Sequence, residues 1–523
     1  MIIVWGRTES SLLHWFVHMS GFGLPAIWVT LFPQTKKTPV MRKQIQITIY
    51  FIFCLSLPQV SQGMTIQEEI KLGKVFAQQV RSHFAMIEDQ DILAYVAYVG
   101  NRLLAAVPEK HFDFHFYVIR EQSYNAFAGP GGHIFVHSGL IETMTSELEL
   151  AGIMAHEIAH VICRHISERI AASKPVSLAA LAATIAGVLV GGDVGAAMVV
   201  GSAAAQQSMF LAYTRENERE ADQNSLRYLR DAQYNGLGLL TILKKIRKYN
   251  WVDVSAIPTY MMSHPAINER LAYLDSALDA TPEFARPAKN IQADAFKKIK
   301  MRIQALYSSI QPTQVIAQQA KKSPDDFLSH YGYGLRLAVS GNRKQALTEF
   351  KHALKLRPFD ADILRDTGIA HFYIGDYPQA MKYLQSANNV VSNDLECQFF
   401  LGQVHEKLGN TDFAADLWER LLIINPELSK LHYHLGNLYG KAGKTGDAHY
   451  HLGVFYQAKN NMKLARFHIA KAMEALDEST PRYQEMKNLL KRLIIKRIQF
   501  NEIQSTNYVN YFRWLGASHT ISL

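Results

Sequence analysis

The 523-residue sequence predicts a mainly α-helical protein in two parts, a domain with a small β-sheet and a solenoid of helical repeats. Three observations predict this fold class. They are a 34-residue period in the C-terminal third, an alternation of apolar residues upstream of it, and an apolar helix between the two. The length also exceeds what one core usually supports, at roughly 150 residues per domain, so several folded units are expected.

Composition and charge exclude several classes of protein. The chain is 48% hydrophobic and 19% charged, which argues against wholesale disorder and against a polytopic membrane protein. The net charge of +9 is mild, and no basic stripe with interleaved aromatic residues occurs, so nucleic acid is not an expected partner. Of three cysteines, Cys54 lies in an N-terminal apolar segment, and the other two predict no disulfide framework.

Residues 1–63 are interpreted as a targeting region. Two basic residues precede the apolar stretch Ile45–Leu57 and small residues follow it, as in a signal peptide over 41–63. This pattern predicts export. Residues 1–40 are interpreted either as an upstream-start artefact or as a membrane anchor over Leu12–Phe32, which internal histidines, glycines and a proline disfavour.

The C-terminal third repeats every 34 residues in three registers. The recurring positions are Gly341, Gly375, Gly409 and Gly443; Gly334, Gly368, Gly402 and Gly436; and Ala346, Ala380, Ala414 and Ala448. Small residues let paired helices approach, and a turn glycine accepts backbone angles that a Cβ would penalise. Beyond Gly443 the phase slips by half a unit, with Asn460 in the turn position. The array resembles the tetratricopeptide repeat over residues 323–475, and its concave groove implies polypeptide binding.

A small sheet is predicted upstream of the repeats. The stretch Phe112–Val118 alternates apolar with more polar residues, which indicates a half-buried strand. A second strand, His133–His137, is predicted after a glycine-rich turn. Ser146 and Glu149 then form an S-x-x-E pattern, which predicts a capping box at the start of an apolar helix.

That helix carries the motif His156-Glu157-Ile158-Ala159-His160. Histidines four residues apart project from one face of a helix, so both imidazoles can reach one zinc ion at about 2 Å. Glu157, between them, is the predicted general base. The alternative is a surface helix with two solvated histidines, which the apolar residues around the motif disfavour.

A catalytic zinc site needs a third protein ligand and one open position. Glu216 and Glu220 share a helix face that is a solvated stripe, whereas Glu218 shares its face with small and semi-polar residues. Glu218 is therefore the predicted ligand. Asp222, one turn later, is expected to accept a hydrogen bond from a ligating histidine. The alternative is a charged surface helix with three glutamates.

H-E-x-x-H followed about sixty residues later by E-x-x-x-D resembles the metallopeptidase family of HtpX, the CAAX prenyl proteases and the Oma peptidases. Most similar is its BepA-like branch, in which a gluzincin-type α+β domain precedes tetratricopeptide repeats. The resemblance covers about residues 68–280. Further segments that carry it are Asn125–Ala128, Gly132–Val136, Ser138–Leu140, Arg164-His165, Ser263-His264-Pro265 and Glu269-Arg270.

The metal ligands that the resemblance implies, for one Zn²⁺ per chain, are His156, His160 and Glu218. Glu157 is implied as the base, and His264 and Arg270 as catalytic residues that face the cleft, where either could hold the oxyanion. His264 could instead occupy the open metal position as a displaceable inhibitor. In a third interpretation His264 and Arg270 only pin the loop that precedes them.

Two further segments have predicted roles. The predicted substrate-pairing edge strand comprises Gly132, His133, Ile134, Phe135 and Val136, since backbone hydrogen bonds give affinity without sequence selectivity. An ordinary core edge is the alternative. The almost uncharged segment Val176–Met209 is predicted to form a helical hairpin that covers the cleft or makes peripheral membrane contact, or else two buried helices.

These observations predict an exported, periplasmic zinc metalloendopeptidase, with membrane association through peripheral contact as an open alternative. The predicted boundaries are 1–63 for targeting, 64–285 for the peptidase domain, 286–322 for a helical linker, 323–475 for the repeats and 476–523 for a helical, basic tail. The resemblance implies unfolded or assembling outer-membrane proteins as substrates and the barrel-assembly machinery as a partner. The rival interpretations are a repeat-based chaperone or scaffold with a vestigial peptidase domain, and an integral-membrane protease.

Overall fold

The structure, a computed structural model, divides the chain into two compact units, Met1–Gly63 and Met64–Leu523. In the first unit, strand β1 (His14–Trp15) pairs antiparallel with strand β2 (Val29–Thr30). Apart from these strands, the described residues are 64–171, 213–249, 259–426 and 428–493. The predicted signal peptide over 41–63, the predicted hairpin over Val176–Met209 and the part of the predicted tail beyond residue 493 lie outside them.

The second unit begins with two capped amphipathic helices, α1 (Ile66–His83) and α2 (Gln90–Ala105). Thr65 caps α1, because its hydroxyl accepts from the Glu68 N–H at 3.3 Å while the Glu68 carboxylate accepts from the Thr65 N–H at 2.9 Å. Asp89 caps α2 by accepting from two N–H groups of the first turn. Both helix starts are therefore encoded locally.

A three-stranded sheet follows, and its order corrects one prediction. Its strands are β3 (His115–Ile119), β4 (Ala126–Gly129) and β5 (His133–His137). β5 is central, since it pairs parallel with β3 and antiparallel with β4. The prediction that Gly132 to Val136 form a substrate-pairing edge is therefore wrong. Of the predicted turn Ala128–Gly132, the first two residues belong to β4, and Pro130–Gly132 form a tight 3-10 turn. The apolar run Ile134–Val136 suits a strand that is buried on both faces.

The helices that follow β5 are α3 (Ser138–Thr143), α4 (Glu147–Ile162) and α5 (His165–Ala171). The motif helix α4 begins where the sequence predicts, with Ser146 as its N-cap. The predicted capping box does not form, because the Ser146 side chain makes no capping hydrogen bond. Glu149 instead accepts from the backbone N–H of Thr145 at 2.7 Å and from Lys245 at 2.8 Å.

The motif helix lies at the centre of this half of the unit. The remaining helices of the half are α6 (Arg215–Asp231), α7 (Leu237–Tyr249), α8 (Thr259–Ser263) and α9 (Ile267–Ala280). α2, α6, α7 and β4 all pack against α4. Gly152 permits the close approach of α7, since a Cβ there would collide with the backbone of Leu239. The polar residues of the motif consequently lie inside a hydrophobic core.

The other half is entirely helical in its described residues, and it confirms the predicted fold class. Its helices are α10 (Ala293–Leu306), α11 (Thr313–Lys322), α12 (Phe327–Val339), α13 (Arg343–Leu356), α14 (Ala361–Tyr373), α15 (Tyr377–Val390), α16 (Leu395–Lys407), α17 (Thr411–Ile424), α18 (Ser429–Lys441), α19 (Thr445–Ala458), α20 (Met462–Ala475) and α21 (481–493). Among the described residues, no helix combines the length and apolar character needed to cross a bilayer.

The repeat turns have the backbone geometry that their glycines predict. Gly341, Gly375, Gly409 and Gly443 have φ angles of 86°, 85°, 86° and 74°, in the left-handed region that favours glycine. Asn460, where the repeat phase slips, also has a positive φ of 57°. Helix α19 accordingly packs against both α18 and α20, and so serves two neighbouring helix pairs.

A cluster of buried charges joins the repeats to the sheet-containing half. Arg302 on α10 donates to Asp89 at 2.8 Å and to Asp366 on α14 at 2.6 Å. Arg365, which is 0% exposed, donates to the two oxygens of Asp91 at 3.0 and 2.5 Å. Because Asp89 and Asp91 lie at the start of α2, these bonds tie α2 to α10 and α14. These five residues are called the junction cluster below.

Candidate active site

The motif helix brings its two histidines together in the core. His156 and His160 lie one turn apart on α4, and their Nε2 atoms are 3.0 Å apart. Both side chains are fully buried. Because both histidines lie on the same face of one helix, the helix alone brings the two imidazoles together.

Glu218 reaches the same point from α6. Thr214 caps α6 by accepting from the Asn217 N–H at 3.1 Å, which places Glu218 in the first turn. Its carboxylate oxygens lie 3.4 Å from His156 Nε2 and 3.4 Å from His160 Nε2. Glu218 is fully buried, whereas Glu216 and Glu220 on the same helix are exposed.

His264 completes the group. It follows α8, and its Nδ1 lies 2.9 Å from Glu218 Oε1 and 3.4 Å from His156 Nε2. The metal cluster, defined as His156, His160, Glu218 and His264, offers four ligand atoms that all lie within 4.8 Å of one another. A tetrahedral zinc site with bonds near 2 Å has ligand atoms about 3.3 Å apart, so this donor set fits zinc.

Glu157 lies beside the metal cluster with its carboxylate unsatisfied. It is fully buried, and neither of its oxygens has a hydrogen-bond partner among the described residues. Its Oε1 lies 3.6 Å from Nε2 of His264. Burial raises the pKa of Glu157 to about 8; His156 opposes this rise, and the charge of Glu218 adds to it. A carboxyl group whose pKa lies this close to neutral pH is suited to exchange a proton with a neighbouring water or substrate.

Asp222 contacts the ring nitrogen of His156 that faces away from the metal cluster. Its Oδ1 lies 2.8 Å from His156 Nδ1, as the sequence predicts for a carboxylate that orients a ligating histidine. Tyr273 also donates its hydroxyl to Asp222. Burial alone would raise the pKa of Asp222, but Arg270 and His156 lower it to about 2. Asp222 is therefore a fixed negative charge at neutral pH.

Arg270 connects the two carboxylates of this region. It donates to Asp222 at 2.9 and 2.8 Å, and its Nη1 lies 2.6 Å from Glu218 Oε2. The side chain is 1% exposed. Burial would raise the pKa of Glu218, but Arg270, His264 and the two motif histidines lower it well below its usual value. The guanidinium therefore contacts Glu218 and Asp222. The family resemblance implies instead a catalytic residue that faces the cleft.

The imidazoles differ in their protonation. Burial lowers the pKa of His160 well below 6.5 and that of His264 to about 4, which keeps both rings neutral at pH 7. Burial and Arg270 also lower the pKa of His156, but Asp222 and Glu218 outweigh them and raise it to about 9. Because Asp222 holds the Nδ1 proton of His156, the Nε2 atom of that ring faces the metal cluster.

Two tyrosines that the sequence analysis did not identify cover the metal cluster. The ring of Tyr213 stacks on His160 at 3.7 Å between centroids, and that of Tyr260 stacks on His264 at 4.3 Å. Burial raises the pKa of both hydroxyls well above 10, so both remain donors. Their only signals in the sequence are position, since Tyr213 precedes the helix of Glu218 and Tyr260 lies one turn before His264.

The part of the chain that contains the metal cluster is similar to a known peptidase family. Residues 93–278 match the model of peptidase family M48. A putative beta-barrel assembly-enhancing protease of Vibrio cholerae is 28% identical over 318 residues, which are 60% of this chain and 63% of that protein. The beta-barrel assembly-enhancing protease of Yersinia pestis is 28% identical over 249 residues, 47% of this chain and 50% of that protein. The chain thus spans less than two thirds of the length of these relatives.

Among solved structures, the crystal structure of MamA aligns with 29% of this chain and 88% of its own, at 19% identity and a TM-score of 0.27. A TM-score this low does not support a shared fold, so the assignment of helical repeats rests on the helix order and the glycine turns. The family match, in contrast, includes every residue of the metal cluster together with Glu157, Asp222 and Arg270. Residues 93–278 therefore form a domain of peptidase family M48.

Proposed function

We propose that the chain is a zinc-dependent endopeptidase of the cell envelope. The observation that supports this most directly is the convergence of four ligand atoms within 4.8 Å, next to a buried carboxylate that has no hydrogen-bond partner among the described residues. His156, His160 and Glu218 would hold one zinc ion. The ion would supply a Lewis acid that polarises the scissile carbonyl and acidifies the attacking water.

The remaining groups act on protons and on position. Glu157 takes a proton from the attacking water and passes it to the leaving amine, and its raised pKa suits both transfers. Asp222 orients His156 through the 2.8 Å contact with Nδ1. Arg270 holds Glu218 and Asp222 in place, so we assign it to positioning and not to contact with the substrate.

His264 has two possible roles, and the structure favours one. Its Nδ1 lies among the ligand atoms of the metal cluster, which supports a resting state in which His264 occupies the fourth metal position and must leave when a substrate enters. In that case His264→Ala raises basal proteolysis. If His264 holds the oxyanion instead, the same variant lowers proteolysis by about 100-fold or more.

The substrates proposed are unfolded or assembling outer-membrane proteins, recruited by the repeats, with the barrel-assembly machinery as a partner. The names of the relatives from Vibrio cholerae and Yersinia pestis and the stacked helix pairs support this proposal.

With β5 central, the strand that lies against the motif helix at the outside of the sheet is β4. We propose β4 as the strand with which an extended substrate pairs. Export by a signal peptide over 41–63 would place the protein in the periplasm.

The proposed function is tested by casein degradation with wild type and Glu157→Gln. Wild type should degrade casein, lose activity with a chelator and regain it with zinc, while Glu157→Gln should be about 10²- to 10⁴-fold less active. Equal degradation by the two proteins would rule out Glu157 as the base, and no degradation by either would favour a chaperone with a vestigial peptidase domain.

Metal analysis tests the ligands separately from activity. Wild type should contain one zinc per chain, and Glu218→Ala should lose it. Glu216→Ala, an exposed glutamate on the same helix, is the matched control and should keep it. Zinc retained in Glu218→Ala would show that the third ligand is a different residue.

A further inference from the structure

The two motif histidines are supported in different ways at the nitrogen that faces away from the metal cluster. On His156 this atom, Nδ1, lies 2.8 Å from the carboxylate of Asp222. On His160 the same atom lies 2.9 Å from Nδ1 of a third histidine, His165. The other ring nitrogen of His165, Nε2, lies 3.3 Å from Oε2 of Glu220. A path of two contacts thus connects His160 to a carboxylate.

A sharp turn in the backbone makes this contact possible. On a continuous helix, His165 would be rotated by about 140° from His160 and could not touch it. Helix α4 instead ends at Ile162, and Arg164 adopts a left-handed conformation with φ of 57° before α5 begins at His165. Such a conformation is unfavourable for a non-glycine residue, because its Cβ crowds the following carbonyl oxygen.

The side chain of Arg164 holds this turn in place. Its Nε donates to Glu69 at 3.0 Å, and its Nη2 donates to the carbonyl oxygen of Met64 at 2.5 Å. The turn places His165 against His160, and His165 is only 1% exposed there. Contacts with the start of the domain therefore maintain a strained turn whose result is the pairing of two histidines.

The hydrogen-bonding capacities of the rings allow one consistent arrangement. When His160 binds a metal through Nε2, its proton is on Nδ1. That proton can be donated to Nδ1 of His165 only if this second atom carries none, so the proton of His165 is on Nε2. The Nε2–H group of His165 then points to the carboxylate of Glu220, which can accept it.

We propose that His165 and Glu220 are positioning residues for His160, in the way that Asp222 is for His156. This inference rests on the proposed zinc site. Glu220 is interpreted from the sequence as part of a solvated stripe, and its side chain is indeed 60% exposed. Since water competes for an exposed carboxylate, the effect through Glu220 is smaller than that of the buried Asp222.

The test measures zinc affinity, by competition with a chromophoric chelator, on the full chain. Loss of an orienting partner typically weakens metal binding 10- to 100-fold, so His165→Phe should weaken it about 10-fold or more. Glu220→Ala should weaken it a few-fold, by roughly 3-fold, because the carboxylate acts through His165. Glu216→Ala, an exposed neighbour on the same helix face, should leave affinity unchanged.

Double variants separate a relay from two unrelated structural effects. His165→Phe combined with Glu220→Ala should bind zinc no more weakly than His165→Phe alone, because both changes interrupt one path. Asp222→Asn combined with Glu220→Ala should multiply the two single effects, because the carboxylates support different histidines. If His165→Phe does not fold, the Asp222 and Glu220 variants still give the second comparison.

Several outcomes would overturn the inference. Multiplying effects of His165→Phe and Glu220→Ala, or zinc affinity equal to wild type in both, would remove the relay while leaving the proposed function intact. Cys163 joins His165 and Glu220 as a third potential metal ligand, so two ions per chain, one of them lost in Cys163→Ser, would make this group a second metal site. If wild type binds no zinc, the proposed function itself fails and the relay fails with it.

Discussion

The active site and the junction cluster are both groups of buried charges, and they differ in how completely their members are paired. In the junction cluster, Arg302 and Arg365 each donate to carboxylates from two helices, and no side-chain atom of the cluster is buried without a partner. In the described part of the active site, both oxygens of Glu157 and Nε2 of His264 are buried without a hydrogen bond.

This difference indicates what each cluster does. A buried polar network that satisfies all its members rigidifies the fold, whereas one with open lone pairs is costly and needs another explanation. The junction cluster fixes the repeats to the start of α2, and nothing in it is left to react. The active site keeps unpaired the atoms that the proposed chemistry requires. The two clusters should therefore respond in opposite ways to mutation.

The largest effect on stability is expected from Arg365→Met in the junction cluster. Removing this guanidinium leaves Asp91, Asp366 and Asp394 without a cation that now contacts all three. Breaking such a buried pair costs about 3–5 kcal/mol, so the free energy of unfolding in urea should fall by that amount. Lys471→Met, which breaks an exposed ion pair on α20, is the control and should cost less than about 1 kcal/mol. Equal losses would contradict a structural role for the junction.

A smaller effect with a defined pH dependence is expected from Asp366→Asn. Burial alone would raise the pKa of Asp366, but Arg302 and Arg365 lower it to about 2. A carboxyl whose pKa is lower in the folded state stabilises the fold above the unfolded pKa of about 4, by about 2 kcal/mol here. That contribution is lost as the pH falls from about 4 towards 2.

The measurement is the difference in unfolding free energy between wild type and Asp366→Asn. At pH 7 the variant should be less stable, and the difference should shrink as the pH is lowered below 4. A difference that stays constant between pH 7 and pH 3 would show that the loss comes from packing and not from the charge of Asp366.

An effect of opposite sign is expected from Glu157→Gln in the metal-free protein. Burial raises the pKa of Glu157 to about 8, so the folded state holds this proton between about pH 4.5 and 8 while the unfolded state releases it. Stability therefore falls as the pH rises through this range, because unfolding releases the proton. The difference in unfolding free energy should therefore shift in favour of the variant between pH 4.5 and pH 8, because glutamine has no proton to release. The absence of such a shift would contradict an unsatisfied carboxylate.

The sequence by itself determined much of this protein, because its strongest signals are periodic or local. The 34-residue spacing of Gly341, Gly375, Gly409 and Gly443 predicts helix pairs with left-handed turns, and these glycines adopt that conformation. The spacing of His156 and His160 places both on one helix face. The contrast in polarity between neighbouring residues separates Glu218 from Glu216, and the first is buried while the second is exposed.

Only the tertiary structure decided the contacts between segments that no period relates. The central position of β5 depends on strand β4, whose four residues are too few to show an alternation. Tyr213 and His165 meet His160 through the packing and the turns of separate segments, one of them a left-handed turn at an arginine. Periodicity reports which side of one element is buried, but the partner on that side is selected by the packing of the whole domain.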